Sequence, residues 1–259
     1  MAEERLNKLL ARAGLGSRRE VEELIREGRV TIDDRVVREL GTRVDPDKHE
    51  VCVDGERIRL ERLVYFLFYK PKNVLCTNYD PSGRVRVVDF FAGIAQRVFP
   101  VGRLDRASEG LMIVTNDGEL ANLLTHPRYG VPKTYHVQVA GDPSDDDLAQ
   151  LTKGIWLSDG RVRADSVRRL KRQGKSRWLE IVLSQGHNRQ IRRMLARLGH
   201  KVMKLIRVKI GPVSDPYLKP GQFRPLRPNE LQALRDAASQ GKAKRGSRRP
   251  RKRRARATR

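Results

Sequence analysis

The chain has 259 residues, with 55 Lys or Arg against 31 Asp or Glu and a formal net charge of +24. No apolar run approaches the roughly 20 residues that a membrane-spanning helix needs, and the N-terminus lacks the long apolar stretch of a signal peptide. The two cysteines, Cys52 and Cys76, do not form a CxxC pair, which argues against a disulfide scaffold or a zinc ribbon. These features predict a cytoplasmic protein without a membrane anchor.

Positive charge is unevenly distributed along the chain. Residues 241–259 contain 11 Lys or Arg and no acid, and removing them leaves a net charge of +13 on residues 1–240. A surplus that persists without the tail predicts a polyanionic partner, and nucleic acid is the commonest one. Residues 239–259 have almost no apolar side chains to bury, so we expect a disordered basic tail that raises RNA affinity in a salt-dependent way.

The first 61 residues are expected to form a small module of helices and short strands. Apolar residues recur at helical spacing over Leu6–Ala13, and Gly14 ends that helix. Ser17 with Glu20 three residues later forms a capping box and opens a second helix, which Gly28 ends. Short strands are predicted at 29–32, at 51–53 and around residue 58.

A second domain is predicted over residues 62–238. Its strands are expected at 64–68, 110–115, 133–140, 178–184 and 202–210, and its helices at 117–126, after Ser144, at 188–198 and at 229–238. Strands outnumber helices without a regular βαβ alternation. The fold class is therefore predicted to be α+β, with a mixed, mainly antiparallel sheet flanked by helices.

The most informative segment is GRLDRASEGL, residues 102–111. It places one carboxylate, Asp105, between two arginines in a glycine-bounded loop just before an apolar strand. Loops held by a rigid sheet often carry catalytic groups. Taken alone, however, the segment fits a solvated turn with ordinary ion pairs better than a catalytic loop.

Two further segments offer groups for binding RNA. In the predicted helix at 188–198, Arg189, Arg193 and Arg197 form a stripe suited to phosphate contacts, and Arg192 lies at its border, where it can reach a buried carboxylate. A solvated basic face explains the same pattern equally well. Tyr135 opens a predicted strand and offers a ring for base stacking, although a half-buried structural tyrosine is the simpler interpretation of that residue alone.

No cofactor is predicted. The five histidines show no HxxxH or HExxH spacing, and neither GxxxxGK[ST] nor GxGxxG is present. The chain is therefore expected to work without a metal ion or a nucleotide cofactor.

Four blocks taken in order carry a family resemblance. Tyr69-Lys70-Pro71, GRLDRASEGL, Lys133-Thr134-Tyr135 and GHNRQIRRM resemble the motif set of the ribosomal pseudouridine synthases of the RsuA/RluB branch. The block RLNKLLARAGLGSRREVEELIREGRVTI resembles an S4 RNA-binding module, which that branch carries in front of its catalytic domain. The resemblance implies an S4-like domain at 1–61, a catalytic domain at 62–238 and the basic tail at 239–259.

By this resemblance the chain isomerises uridine to pseudouridine in ribosomal RNA without a cofactor. The substrate is left open between free ribosomal RNA and a preribosomal particle, and a monomer is expected. Asp105 matches the essential carboxylate, Arg192 its ion-pair partner, and Tyr135 the tyrosine that stacks on the uracil. Arg103 matches the residue that fills the gap left by the flipped base. The remaining residues expected to contact substrate or RNA are Lys133, Asn188, Arg189, Gln190 and Arg193 in the second domain and Arg5, Lys8, Arg18 and Arg19 in the S4-like module.

Two departures from the family pattern concern this site. Ser108 replaces the usual threonine but keeps a hydroxyl group, and Gln185 stands where an acid that could orient Arg189 or Arg192 is more common.

The sequence leaves alternatives open for both the RNA target and the biochemical function. The GHNRQIRRM motif and the basic C-terminal extension resemble those of the family members that act on large-subunit (23S) rRNA. The same reaction on small-subunit (16S) rRNA is the alternative. A catalytically inactive S4-type assembly factor is one rival function, and the presence of Asp105, Tyr135 and Arg192 together argues against it. A non-specific DNA-binding protein is the other, and it leaves residues 64–210 unexplained.

Overall fold

The computed structural model describes residues 3–246. The chain divides into two compact units. The first comprises the described residues up to Tyr65 together with Phe91–Phe99 and Thr115–Gly118. The second comprises Phe66–Phe90, Pro100–Val114 and the described residues from Glu119 onward.

The elements follow one another as a mixture of short and long strands with six α-helices in the described part of the chain. The strands are Glu4–Arg5 (β1), Val30–Ile32 (β2), Arg35–Val36 (β3), Arg43–Val44 (β4), Val51–Val53 (β5), Glu56–Arg57 (β6), Tyr65–Lys70 (β7), Phe99–Pro100 (β8), Glu109–Thr115 (β9), Lys133–Ala140 (β10), Ile155–Leu157 (β11), Gly160–Val162 (β12), Ser166–Gln173 (β13), Ser176–Leu183 (β14), Val202–Ile210 (β15), Val213–Ser214 (β16) and Phe223–Pro225 (β17). The helices are Leu6–Arg12 (α1), Arg18–Arg26 (α2), Gly118–Thr125 (α3), Asp145–Lys153 (α4), Gln190–Arg197 (α5) and Pro228–Gly246 (α6), and two 3₁₀ helices span Val87–Phe91 and Pro127–Tyr129.

The first unit packs α1 and α2 on a small core. The predicted capping box is present: the Ser17 side chain accepts from the Glu20 amide, and the Glu20 carboxylate accepts from the Ser17 amide at 2.6 Å. Strands β3, β2, β5 and β6 form a four-stranded antiparallel sheet in that order. Asp33 and Asp34, both at positive φ, make the two-residue turn between β2 and β3.

The second unit is built on one large sheet. Its strand order is β13-β14-β10-β15-β9-β7-β17. Strands β13, β14, β10 and β15 pair antiparallel, whereas β15 and β9 run parallel. The predicted α+β class with a mixed, mainly antiparallel sheet flanked by helices is confirmed.

A hydrophobic core fixes helix α5 beside the central strands. Val137, Leu179 and Leu205 of the sheet share this core with Met194 and Leu195 of α5, and all five are buried. The apolar positions that predicted one face of α5 are thus the ones that hold it in place. Because α5 begins beside the cavity described below, this packing positions the residues that precede it.

Two predicted boundaries differ from the structure. Helix α6 was expected to end at residue 238 but continues to Gly246, so the expected start of a disordered tail at 239 is wrong. Gly241 within it packs against the Tyr129 carbonyl, a closeness that a side chain would prevent. Residues 247–259, the rest of the predicted tail, lie outside the described residues. Among residues 3–246 no helix is both long and apolar enough to span a membrane.

Candidate active site

A cavity of about 640 Å³ opens in the second unit, a size within the usual range of ligand sites. It is lined by residues from the loop before β9, from β10 and β15, and from the segment that leads into α5. Among the lining residues are six that the sequence predicted for the site: Arg103, Asp105, Lys133, Tyr135, Asn188 and Arg189. Segments far apart in the chain therefore converge on one site.

The loop that carries Asp105 is anchored from beneath by a buried lysine. Lys70 at the end of β7 is fully buried, and its Nζ donates to the carbonyls of Ser108 at 2.8 Å and Pro71 at 2.9 Å. Burial lowers the pKa of Lys70, while the nearby charge of Asp105 opposes that shift. The Asn73 amide also donates to the Arg106 carbonyl at 2.8 Å. These bonds hold the Asp105 loop in one conformation.

Two arginines approach the same carboxylate oxygen of Asp105. Nη1 of Arg189 lies 3.4 Å from Oδ2, and Nε of Arg192 lies 3.8 Å from it. The Asp105 side chain is 25% exposed, Arg189 50% and Arg192 14%. The ion pair expected between Arg192 and Asp105 is present, and Arg189 joins it from the solvent side.

Arg192 is held in place by its other nitrogens. Nη1 donates to the Val202 carbonyl at 3.2 Å and Nη2 to Oγ of Ser108 at 3.4 Å, whereas the buried Nε has no hydrogen-bond partner within the described residues. Burial lowers the pKa of Arg192, the charge of Arg189 lowers it further, and Asp105 opposes both. The hydroxyl retained at Ser108 thus binds the arginine that faces Asp105.

Arg189 departs from the predicted helical stripe. It precedes α5 with a φ of 48°, a left-handed conformation that is uncommon for a residue other than glycine. The helix begins at Gln190, two residues later than expected, so Arg189 is turned toward Asp105 and away from the line of Arg193 and Arg197. No hydrogen bond joins Gln185 to either arginine within residues 3–246.

Tyr135 and Lys133 reach the cavity from the start of β10. The pairing of β10 with β15 shifts register between Thr134 and Tyr135, an irregularity of the kind that redirects a side chain. Lys133 Nζ donates to the Leu124 carbonyl at 2.7 Å. Burial, together with the charge of Arg207, lowers the pKa of Lys133 to about 8.

Arg207 is a site residue that the sequence reasoning missed. It lines the cavity from β15, is 4% exposed and donates from Nε to the Leu111 carbonyl at 2.6 Å, but its Nη2 has no partner among the described residues. Its backbone lies so close to Gly110 that a Cβ there would meet the Arg207 carbonyl oxygen at 2.3 Å. Arg207 lies two residues after the buried Leu205 and so shares its face of β15, and an arginine on the buried face of a strand was the signal available.

Other predicted contacts are distributed around the cavity rim. Arg103 and Asn188 are exposed and line it. Gln190 differs from the expected RNA contact because it is buried, where it accepts from the His187 amide and donates to the Arg163 carbonyl, both at 3.2 Å. Arg193 is bound to Asp159 at 2.6 Å, so its charge is largely matched within the protein.

The four basic residues predicted in the first unit differ in their surroundings. Arg18 and Arg19 open α2 and are exposed. Arg5 is also exposed and stands at the N-cap position of α1, at the end of β1. Lys8 pairs with Glu4 at 3.0 Å, which reduces the charge it can offer to a ligand.

The cavity offers acid–base or nucleophilic chemistry at a single carboxylate. Within residues 3–246 no three His, Cys, Asp or Glu side chains are grouped to hold a metal ion. An aspartate fixed between guanidinium groups, beside a tyrosine and with room for a planar ring, can attack an electrophilic carbon or accept a proton.

Comparisons with known proteins match both units. The sequence pattern of the RNA pseudouridylate synthase family matches residues 64–197, and that of the S4 domain matches residues 4–50. The chain is 42% identical over 241 residues to a ribosomal large subunit pseudouridine synthase B of Bacillus subtilis, covering 92% of this chain and 98% of that one. It is 43% identical over 235 residues to an RNA pseudouridine synthase of Aquifex aeolicus, covering 90% and 94%. A crystal structure of a pseudouridylate synthase aligns with a TM-score of 0.64 and 29% identity, covering 89% of this chain and 99% of that one.

Proposed function

The chain belongs to the RNA pseudouridylate synthase family, and we propose that it isomerises one uridine of large-subunit ribosomal RNA to pseudouridine. The observation that carries the proposal is the Asp105 carboxylate held by Arg189 and Arg192 in a cavity of about 640 Å³. The large-subunit target is supported by relatives from Bacillus subtilis, Yersinia pestis and Vibrio cholerae, each named ribosomal large subunit pseudouridine synthase B.

The reaction breaks the N1–C1′ bond of the uridine and joins C1′ to C5 of the same base. The C5 proton leaves to solvent and N1 gains a proton, so atoms and charge balance without a cofactor. Asp105 faces the ribose in this scheme, either as the nucleophile that attacks C1′ or as the base that removes the C2′ proton. Both roles need a negatively charged carboxylate, and the two guanidinium groups lie beside Asp105 in this partly buried place.

The uridine must leave its base stack before this chemistry can occur. Arg103 fills the gap that the base leaves in this scheme, and its exposed position at the cavity rim supports that role. Tyr135 stacks on the uracil inside the cavity, and its hydroxyl is the candidate group for handling the C5 proton. Lys133 supplies a donor from the cavity wall for the uracil carbonyls or a neighbouring phosphate.

The S4 match supports an RNA-binding role for the N-terminal part, with domain limits that we propose at 1–61 and 62–238. Arg18 and Arg19 at the start of α2 are its best-placed exposed phosphate contacts. The proposed substrate, ribosomal RNA or a preribosomal particle, places the enzyme in the cytoplasm. We propose that it acts as a monomer.

The test is tritium release from RNA labelled at C5 of uridine. Large- and small-subunit rRNA transcripts are offered separately, and each is also offered as immature ribosomal particles. Release from large-subunit RNA or particles alone is the expected result. Release from small-subunit substrates alone would overturn the proposed target, and no release from any of the four would overturn the proposed reaction.

A further inference from the structure

The hairpin of β11 and β12 exposes a tryptophan beside the C-terminal half of α5. Trp156 is 71% exposed, although burying an indole is normally favourable. The protein's other tryptophan, Trp178, is half-buried and donates from its indole nitrogen to Gln173 at 2.8 Å. Trp156 therefore has the exposure of a residue whose ring is free to bind a ligand.

The surroundings of this ring are basic. A shallow groove joins Trp156 to α5 and is lined by Ala196, Arg193 and Arg197. Arg197 is exposed and makes no ion pair with any residue from 3 to 246, and Arg161 stands opposite Trp156 across the hairpin. Asp159, the acid of the hairpin turn, is already bound by Arg193 at 2.6 Å. The groove thus offers an aromatic face beside uncompensated positive charge.

Two contacts tie this groove to the rim of the Asp105 cavity. Asp159 accepts from Arg193 and lies 3.8 Å from Nδ1 of His187, which itself lines the cavity. Arg189, at the cavity, and Arg197, at the groove, are eight residues apart in the chain. At about 1.5 Å per helical residue they are separated by about 12 Å along the axis. An RNA strand that delivers a uridine to Asp105 can therefore follow α5 to the groove.

We propose that Trp156 is a stacking platform for an unpaired nucleobase of the RNA substrate, close in the strand to the target uridine, with Arg197 binding the adjacent phosphate. The inference rests on the proposed RNA-modifying function and extends it to a second contact outside the cavity. Stacking on an indole accepts any base, and a neighbouring arginine adds charge attraction. This subsite supplies affinity and positions the strand without taking part in the chemistry.

Tryptophan fluorescence tests the platform directly, because stacked bases quench an indole. The full-length Trp178→Phe variant keeps Trp156 as its sole tryptophan, and the Trp156→Phe variant keeps Trp178 as the matched control. Each is titrated with single-stranded octauridylate and with dextran sulfate, a polyanion without bases. Saturable quenching of Trp156 by octauridylate, absent with dextran sulfate and absent in the control, is the expected result. Equal responses to both polyanions, or quenching of Trp178 alone, would overturn the proposal.

A second measurement separates this proposal from the proposed function. Trp156→Ala is expected to weaken octauridylate binding by about tenfold and to raise KM while leaving kcat unchanged. Arg197→Gln is expected to lower the slope of log affinity against log salt by about one. If wild type releases tritium but Trp156→Ala alters neither RNA affinity nor KM, the stacking role of Trp156 is refuted while the proposed isomerase function is retained. If octauridylate quenches Trp156 but no isomerisation is detected, the stacking role of Trp156 is retained and the proposed reaction is refuted.

Discussion

Arg189 lies 3.4 Å from the carboxylate of Asp105, 84 residues away in the chain, at a position where the backbone adopts a φ of 48°. Arg192 reaches the same oxygen from the buried side at 3.8 Å. The two arginines differ in environment more than in distance, because Arg189 is half exposed and Arg192 is mostly buried. Water screens the first far more than the second.

This difference predicts unequal roles for the two arginines. Arg192→Gln should lower kcat by about 100-fold, because it removes a preorganised charge from a mostly buried position beside Asp105. Arg189→Gln should act mainly on KM, by about tenfold, and reduce the salt dependence of RNA binding by about one unit of slope. Steady-state kinetics at several salt concentrations checks both, and an equal loss of kcat in the two variants would contradict this division.

Tyr135 lines the cavity and is expected to have two separable roles, one for its ring and one for its hydroxyl. Tyr135→Phe keeps the ring and should preserve RNA affinity while slowing tritium release. Tyr135→Leu removes the ring and should weaken substrate binding as well, by about tenfold for one lost stacking contact. Single-turnover release measured beside RNA affinity distinguishes the two. A Tyr135→Phe enzyme as fast as wild type would show that the hydroxyl takes no part.

The lowered pKa of Lys133, about 8, makes stability depend on pH. An unfolded lysine titrates near pH 10.4, so between about pH 8 and 10.4 the unfolded chain binds more protons than the folded one. Lys133 therefore destabilises the fold below pH 8, and this penalty disappears as pH rises through that window. The difference in unfolding free energy between wild type and Lys133→Met, from urea denaturation, should grow in favour of wild type across the window. Parallel curves would contradict the lowered pKa. Arg207→Met should weaken the trend, because it removes a repelling charge.

Gly110 is predicted to be essential for the close approach of β9 and β15. A Cβ there would meet the Arg207 backbone oxygen at 2.3 Å and nitrogen at 2.5 Å, and φ is +114°. Gly160 has the same φ of +114° with nothing within 4 Å, which makes it a matched control. Gly160→Ala should cost about 1 kcal/mol from backbone strain alone. Gly110→Ala should cost about 3 kcal/mol or more, because a backbone clash is added. Equal losses of unfolding free energy would show that the clash is relieved at no cost.

Local patterns predicted much of this fold because they act over a few residues. The Ser17–Glu20 capping box and strands β10 and β15 lie where the sequence placed them. Strand β13 was missed because its sequence, SVRRLKRQ, is mostly polar and lacks the alternation of a half-buried strand. Its pairing with β14 supplies the stability that its own residues do not indicate.

The sequence predicted several individual residues of the site but not all of the contacts that bring them together. Motif resemblance pointed to Asp105, Tyr135 and Arg192, and the ion pair of Arg192 with Asp105 is present. The turn of Arg189 toward Asp105 depends on a left-handed residue that no periodicity reveals. Arg207 is brought to the cavity by the parallel pairing of β15 with β9. Its hydrogen bond to the Leu111 carbonyl joins two residues that are 96 positions apart in the chain, which is a tertiary contact.

The role of Asp105 is the central claim, and Asp105→Asn tests it most directly. This variant keeps the size of the side chain and removes the charge that both arginines face. Asp142, paired with Arg177 at 2.7 Å outside the cavity, provides Asp142→Asn as the matched control. Under single-turnover conditions on large-subunit rRNA or its immature particles, Asp105→Asn should release no tritium while still binding RNA, and Asp142→Asn should match wild type. Tritium release by Asp105→Asn at the wild-type rate would contradict the account.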